Sequence, residues 1–83
     1  MIIKKTTVNV NGTALEYVLE KTDAVYSIEI SELSDSTRKA CRFNDIARSK
    51  EAAIKLFRLL SENTVDTATA PYVLDDLAES MTF

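Results

Sequence analysis

Asn11-Gly12 lies between two runs of β-prone residues and is the strongest local constraint in the chain. Asn-Gly favours a two-residue type I′ hairpin, because both central positions need positive φ. A turn there sets Val10 against Thr13, Val8 against Leu15 and Thr6 against Tyr17. Val8, Val10, Leu15, Tyr17 and Leu19 then share one face, and Lys5, Thr7, Glu16 and Glu20 the other.

Two more turns extend this pattern. A loop at Thr22-Asp23 sets Leu19 against Tyr26, Tyr17 against Ile28 and Leu15 against Ile30. A loop near Ser34-Asp35 sets Ile28 against Cys41 and Tyr26 against Phe43. A one-residue slip at any turn would send a whole apolar row into water, so their agreement on one face predicts a four-stranded β-meander over 1–46. The opposite face collects Lys5, Thr7, Glu16, Ser27, Glu29, Ser31, Arg38 and Arg42. Glu16 and Glu29 are expected to face each other, with Arg38 and Arg42 diagonal to Glu29 as an offset.

The apolar period then changes from 2 to 3.6. Ser49 suits an N-cap, and Glu51 follows in the first turn, where the helix dipole favours an acid. Ala53, Leu56, Phe57 and Leu60 keep helical spacing, with Ile54 on the flank and a Glu51–Lys55 pair outside. The first helix is expected over about 50–62, with Asn63 as its C-cap. Thr64 to Thr69 reads as a linker. Pro71 suits the first turn of a second helix capped by Thr69 or Ala70. Val73, Leu74, Leu77, Ala78 and Met81 form its apolar stripe, with Asp75, Asp76 and Glu79 outside. The expected architecture is α+β, a four-stranded antiparallel β-meander with two C-terminal helices packed on one face, in the order ββββαα. Residues 1–83 are read as one domain, the meander in 1–46 and the helical pair in 49–83.

The pentapeptide Arg48-Ser49-Lys50-Glu51-Ala52 opens the first helix and Glu62-Asn63-Thr64-Val65 closes it. Pro71 and Leu74-Asp75-Asp76-Leu77 follow, and the strand Tyr26-Ser27-Ile28-Glu29-Ile30 precedes them. This layout resembles a family of short bacterial proteins classed only as a domain of unknown function. The resemblance implies the same fold and carries no active site to transfer.

Charge and residue types narrow the chemistry. The net charge is −3, offering nucleic acid and anionic lipid no overall attraction. The charge is segmented: residues 13–35 and 59–83 are acidic, while 36–58 is basic through Arg38, Lys39, Arg42, Arg48, Lys50, Lys55 and Arg58. The chain holds no histidine, which removes Ser-His-Asp and Cys-His nucleophile systems and the commonest zinc ligand. Gly12 is the only glycine, so there is no phosphate-cradling loop. No catalytic, cofactor-binding or metal-ligating residue is nominated, and a non-enzymatic protein is expected.

Four features have a functional reading beside a structural one. Cys41 is the single cysteine, so no internal disulfide forms; it faces inward, as free cysteines commonly do, though Arg38, Lys39 and Arg42 would activate an exposed thiol. Asp75, Asp76 and Glu79 offer oxygen ligands to a hard cation, yet a single helix face converges poorly on one ion and reads as solvated surface. The basic segment 38–50 could meet phosphates, but the aromatics Tyr17, Tyr26 and Phe43 fall on the face the helices cover. Phe83 either completes the apolar stripe of the second helix or anchors a partner.

A lone thiol and the absence of a signal sequence or an apolar run of ~18 residues point to a cytoplasmic protein, with no membrane partner. The expected function is a small protein-interaction or regulatory module that contacts an unknown protein partner or self-associates. Strand addition at an edge of the sheet is the expected mechanism, and Lys4, Lys5 and Lys39 would restrain uncontrolled pairing. Nucleic-acid association through the basic segment and small-ligand binding are the alternatives.

Overall fold

The computed structural model describes residues 1–35 and 37–80, with side chains described through residue 76 apart from that gap. Four strands, β1 (Ile2–Val10), β2 (Thr13–Thr22), β3 (Val25–Ser34) and β4 (Thr37–Phe43), form one antiparallel sheet in the order β1-β2-β3-β4. Helices α1 (Lys50–Glu62) and α2 (Ala70–Ser80) follow. The layout is the α+β ββββαα arrangement.

The first hairpin follows from its turn. Asn11 and Gly12 take φ of 50° and 83°, and Val10–Thr13, Val8–Leu15 and Thr6–Tyr17 are paired. The second hairpin differs from expectation by two residues in pairing: Leu19 faces Ile28, Tyr17 faces Ile30 and Leu15 faces Glu32. Thr22 pairs with Val25, and Asp23 carries a φ of 56°. Asp tolerates the left-handed region far better than the β-branched Thr22, so the loop moves one residue onward. Moving a turn by one residue moves every partner by two and leaves each side chain on its face. In the third hairpin the ladder likewise runs one rung further, to Ser34–Thr37, which sets Ile28 against Phe43 and Ile30 against Cys41.

These shifts separate the two acids expected to face each other. Glu16 faces Ser31 and pairs with Lys5 at 3.6 Å. Glu29 faces Val18 on one side and Arg42 on the other. Arg38 faces Leu33 rather than lying diagonal to Glu29.

Leu15, Tyr17, Leu19, Tyr26, Ile28 and Ile30 supply the sheet's side of the core, and Ala53, Leu56, Phe57 and Leu60 supply that of α1. Ala47 and Val65 from the connections and Ala70, the first residue of α2, are buried with them, and Val73 and Leu74 of α2 pack against the same cluster. The α1 bounds agree with the expected ones. Ser49 Oγ accepts from Ala52 N at 3.2 Å, so the N-cap has its predicted form. Leu77, Ala78 and Glu79 have side chains outside the described residues, as do Met81 and Phe83 altogether.

The segment 64–69 is tied rather than loose. Thr64 N bonds Ser61 O and Val65 N bonds Leu60 O, closing α1 with a Schellman motif in which Thr64, with φ of 48°, is the left-handed residue. The buried Tyr17 hydroxyl donates to the Val65 carbonyl at 2.7 Å. Thr67 N and Oγ1 both donate to Glu32 Oε1, at 2.7 and 2.8 Å. Thr69 N and Oγ1 both donate to Asp66 Oδ1, at 2.8 Å each, and Ala70 N bonds Asp66 O as α2 begins.

Candidate interaction edge

The sheet ends in two edges of different character. Along β1, Ile2 faces Glu20 but Lys4 faces Leu19, so one extra residue interrupts the ladder. The bulge turns Ile3 toward the core, where it is half-buried, and leaves Lys4 and Lys5 exposed. Bulges and lysines are the usual protection of an edge against pairing with another chain. The pairing of β3 with β4 runs through seven consecutive rungs without a shift. The outer edge of β4 is therefore regular, and Thr37, Arg38, Lys39, Ala40 and Arg42 are exposed along it.

The pleat sends the β4 side chains alternately to the two faces. Arg38, Ala40 and Arg42 lie on the face without helices. There Arg42 is held by two acids: its Nη2 donates to Glu20 Oε1 at 2.6 Å, and its Nη1 lies 3.8 Å from Glu29. Hydrogen bonding to Arg42, then its charge, lowers the Glu20 pKa, and the same bond raises that of Arg42. Arg42 Nε and Ser27 Oγ both donate to Asn44 Oδ1, at 3.1 and 2.9 Å. Ser27 is buried beneath this network, on the face of the sheet opposite the core cluster.

Lys39, Cys41 and Phe43 lie on the helix side, and a recess opens at each end of this row. The first, about 130 Å³, is polar and lined by Thr13, Glu32, Ser34, Thr37 and Lys39. Through Thr13 and Glu32 it adjoins a cleft of about 270 Å³ that also involves Asn11, Thr64 and Asp66. The second, about 250 Å³, is lined by Phe43, Ile46, Leu56 and Leu74 together with Asn44, Asp45 and Asp75. A further hollow, about 320 Å³, involves Ile54, Lys55, Arg58 and Leu59 and lies on the solvent side of α1, opposite the buried Ala53, Leu56 and Leu60.

The residues singled out in the sequence are placed as follows. Cys41 is half-buried opposite Ile30, not Ile28, and its thiol pKa is pushed up by burial, with the Glu32 and Glu29 charges adding to the effect. The thiol is therefore held protonated, away from the reactive thiolate. The basic segment does not converge: Arg38 and Lys39 point to opposite faces, Arg42 is engaged by carboxylates, and Arg48 and Lys50 stand at the start of α1. Asp75 and Asp76 are exposed on α2. Among the described residues no group of three or more His, Cys, Asp or Glu side chains is placed to hold a metal ion. Among them, too, no helix is long and apolar enough to cross a membrane.

Glu32 is the residue that the sequence reading missed. Its signal was visible, since an acid continues the inward row Tyr26-Ile28-Ile30. Nothing local indicated that its carboxylate would hold Thr67, 35 residues away.

The fold and this edge define a class: a small α+β protein whose sheet is covered on one face, with one edge interrupted and one edge open. The chain belongs to DUF6514, a family of unknown function whose model matches residues 1–80. Neither a curated protein nor a solved structure matches the chain.

Proposed function

We propose that the chain is a non-enzymatic interaction module that works as one unit and docks a protein partner by strand addition at β4. The observation that carries this reading is the contrast between the edges: β1 is interrupted by a bulge, while β4 is regular and exposed, and the cations it carries, Arg38 and Lys39, restrict what can pair there without breaking the ladder. An open edge presents unpaired N–H and C=O groups that an extended segment can complete.

A separate partner fits this edge better than a second copy. Antiparallel pairing of β4 with itself about Arg38 or Lys39 sets that cation against its own copy, and pairing about Ala40 sets Lys39 against the half-buried Cys41 and Arg38 against Arg42, whose charge Glu20 and Glu29 offset only in part. Like charges directly opposite are destabilising. Pairing about Cys41 avoids this but sets Lys39 against Phe43. The nucleic-acid reading is weakened, because one cation of the basic segment, Arg42, is already engaged by Glu20 and Glu29. A cytoplasmic site of action accompanies the proposal, on the single half-buried thiol.

Photo-crosslinking tests the reading in the host cell. A photoreactive amino acid is placed singly at Ala40 on β4, at Asn9 on β1 and at Lys55 on α1. The expected result is a covalent protein adduct from position 40 alone that survives nuclease. Adducts from position 9 or 55 instead, a nuclease-sensitive adduct, or none from any position overturns it.

A further inference from the structure

We infer that the segment added to β4 is acidic at one end and apolar at the other, an extended stretch of another protein that sets carboxylates against Arg38 and Lys39. This rests on the strand-addition reading and specifies the chemistry of the partner.

Three observations lead to it. First, Arg38 and Lys39 are neighbours at the start of β4, so they present positive charge to both faces of whatever strand lies beside them. Among the described residues no carboxylate lies within 4 Å of either in an ion pair, whereas Arg42 has two such partners. The nearest candidate for Lys39 is Glu32, directly opposite on β3, and its Oε1 already accepts two hydrogen bonds from Thr67. The unmet positive charge on this edge is thus confined to its first half.

Second, the helix side of the edge changes character along its length. Lys39 lines the polar recess with Ser34 and Thr37. Phe43, four residues on, lines the second recess with Ile46, Leu56 and Leu74, where Asp45 and Asp75 also stand and disfavour an acid. A strand beside β4 places every second side chain over this row. Its inward residues would meet Lys39, then the half-buried Cys41, then the Phe43 recess. An acid, a small residue and a larger apolar residue at i, i+2 and i+4 complement them.

Third, the outer face is permissive past Arg38. Ala40 is small and exposed, and Arg42 is engaged by Glu20 and Glu29. Charge discrimination there falls chiefly to Arg38.

The test uses the full chain, labelled for amide NMR, and heptapeptides X-X-Thr-Ala-Thr-Val-Thr, each in both sequence directions, in which X is glutamate, lysine or serine, so that the paired X residues meet Arg38 and Lys39 while alanine and valine meet Cys41 and Phe43. Strand addition predicts that the glutamate peptide shifts the β4 amides and that alternate N-methylation of its backbone abolishes binding. The inference predicts that it binds at least about tenfold more tightly than the lysine peptide at low salt, with the difference shrinking as salt rises. It also predicts that the double variant R38E/K39E reverses the preference, a readout that a simple loss of folding cannot imitate. If no peptide shifts β4, or the N-methylated peptide binds equally well, strand addition and the inference fall together. If all three peptides bind β4 alike, or R38E/K39E keeps the wild-type order, the inference falls and strand addition stands.

Discussion

Tyr17 combines three roles in one side chain. Its ring fills the centre of the core, its hydroxyl holds the Val65 carbonyl, and its position on β2 ties the sheet to the segment following α1. Replacing it with Phe keeps the ring but leaves a buried carbonyl without its donor. Tyr17→Phe is expected to lower stability by about 1–2 kcal/mol in urea denaturation. The phenol pKa is pushed up to about 12, by burial first and then by the Asp66 and Glu32 charges. The raised value means that the folded state prefers the neutral phenol. This stabilisation is complete below the ordinary value of 10.0 and is lost as pH rises through about 12. Absorbance titration of the three tyrosines should show one titrating near that upper value while the chain stays folded. Thr64 makes the opposite case. A β-branched residue at φ of 48° is strained, and glycine adopts that backbone freely. Thr64→Gly should stabilise the chain by about 1 kcal/mol, read as a higher urea midpoint at unchanged slope.

At the scale of elements, the segment 64–69 is the join that turns a sheet and two helices into one structure. Its backbone and side chains are held by Tyr17 from β2, by Glu32 from β3 and by Asp66 from within. Of these, Glu32 alone connects the segment to the strand beside β4. Glu32→Ala removes an acceptor shared by two donors and should cost about 1–2 kcal/mol. Its signature is local: exchange of the Thr67 amide should speed up well before that of the β2–β3 ladder. Exchange of the two at equal rates would show that the tie is not what protects the segment. The N-cap of α1 is an independent element, and Ser49→Ala should cost about 1 kcal/mol without affecting Thr67 exchange.

At the scale of the molecule, one cluster holds residues from β2, β3, α1, both connections and, through Ala70, the start of α2. Among the described residues the sheet and the helices share this one cluster. Urea unfolding followed by far-ultraviolet circular dichroism and by the near-ultraviolet tyrosine signal should therefore give coincident curves. Helix loss ahead of the tyrosine signal would mean that 49–83 and the meander are separable. Leu56→Ala, at the centre of the α1 contact, should cost about 2–5 kcal/mol and lower both signals together.

Local sequence determined most of the architecture, because the forces that shape it act locally. Asn11-Gly12 demanded its turn, Ser49 capped its helix, and alternate apolar residues chose one face of the sheet. A two-residue change of register leaves those faces intact, so the pattern of apolar residues left the partners of Glu16, Glu29 and Cys41 open. Asp23 in the left-handed region settled that choice for the second hairpin. Tertiary structure alone decided the features of the candidate edge. The bulge at β1, the capture of Arg42 by Glu20 and Glu29, and the grip of Glu32 on Thr67 each depend on groups that meet only when the strands and helices are assembled. A hydrogen bond or ion pair across 20 or more residues leaves no period in the sequence, whereas burial of a face leaves one at every second or every third to fourth position.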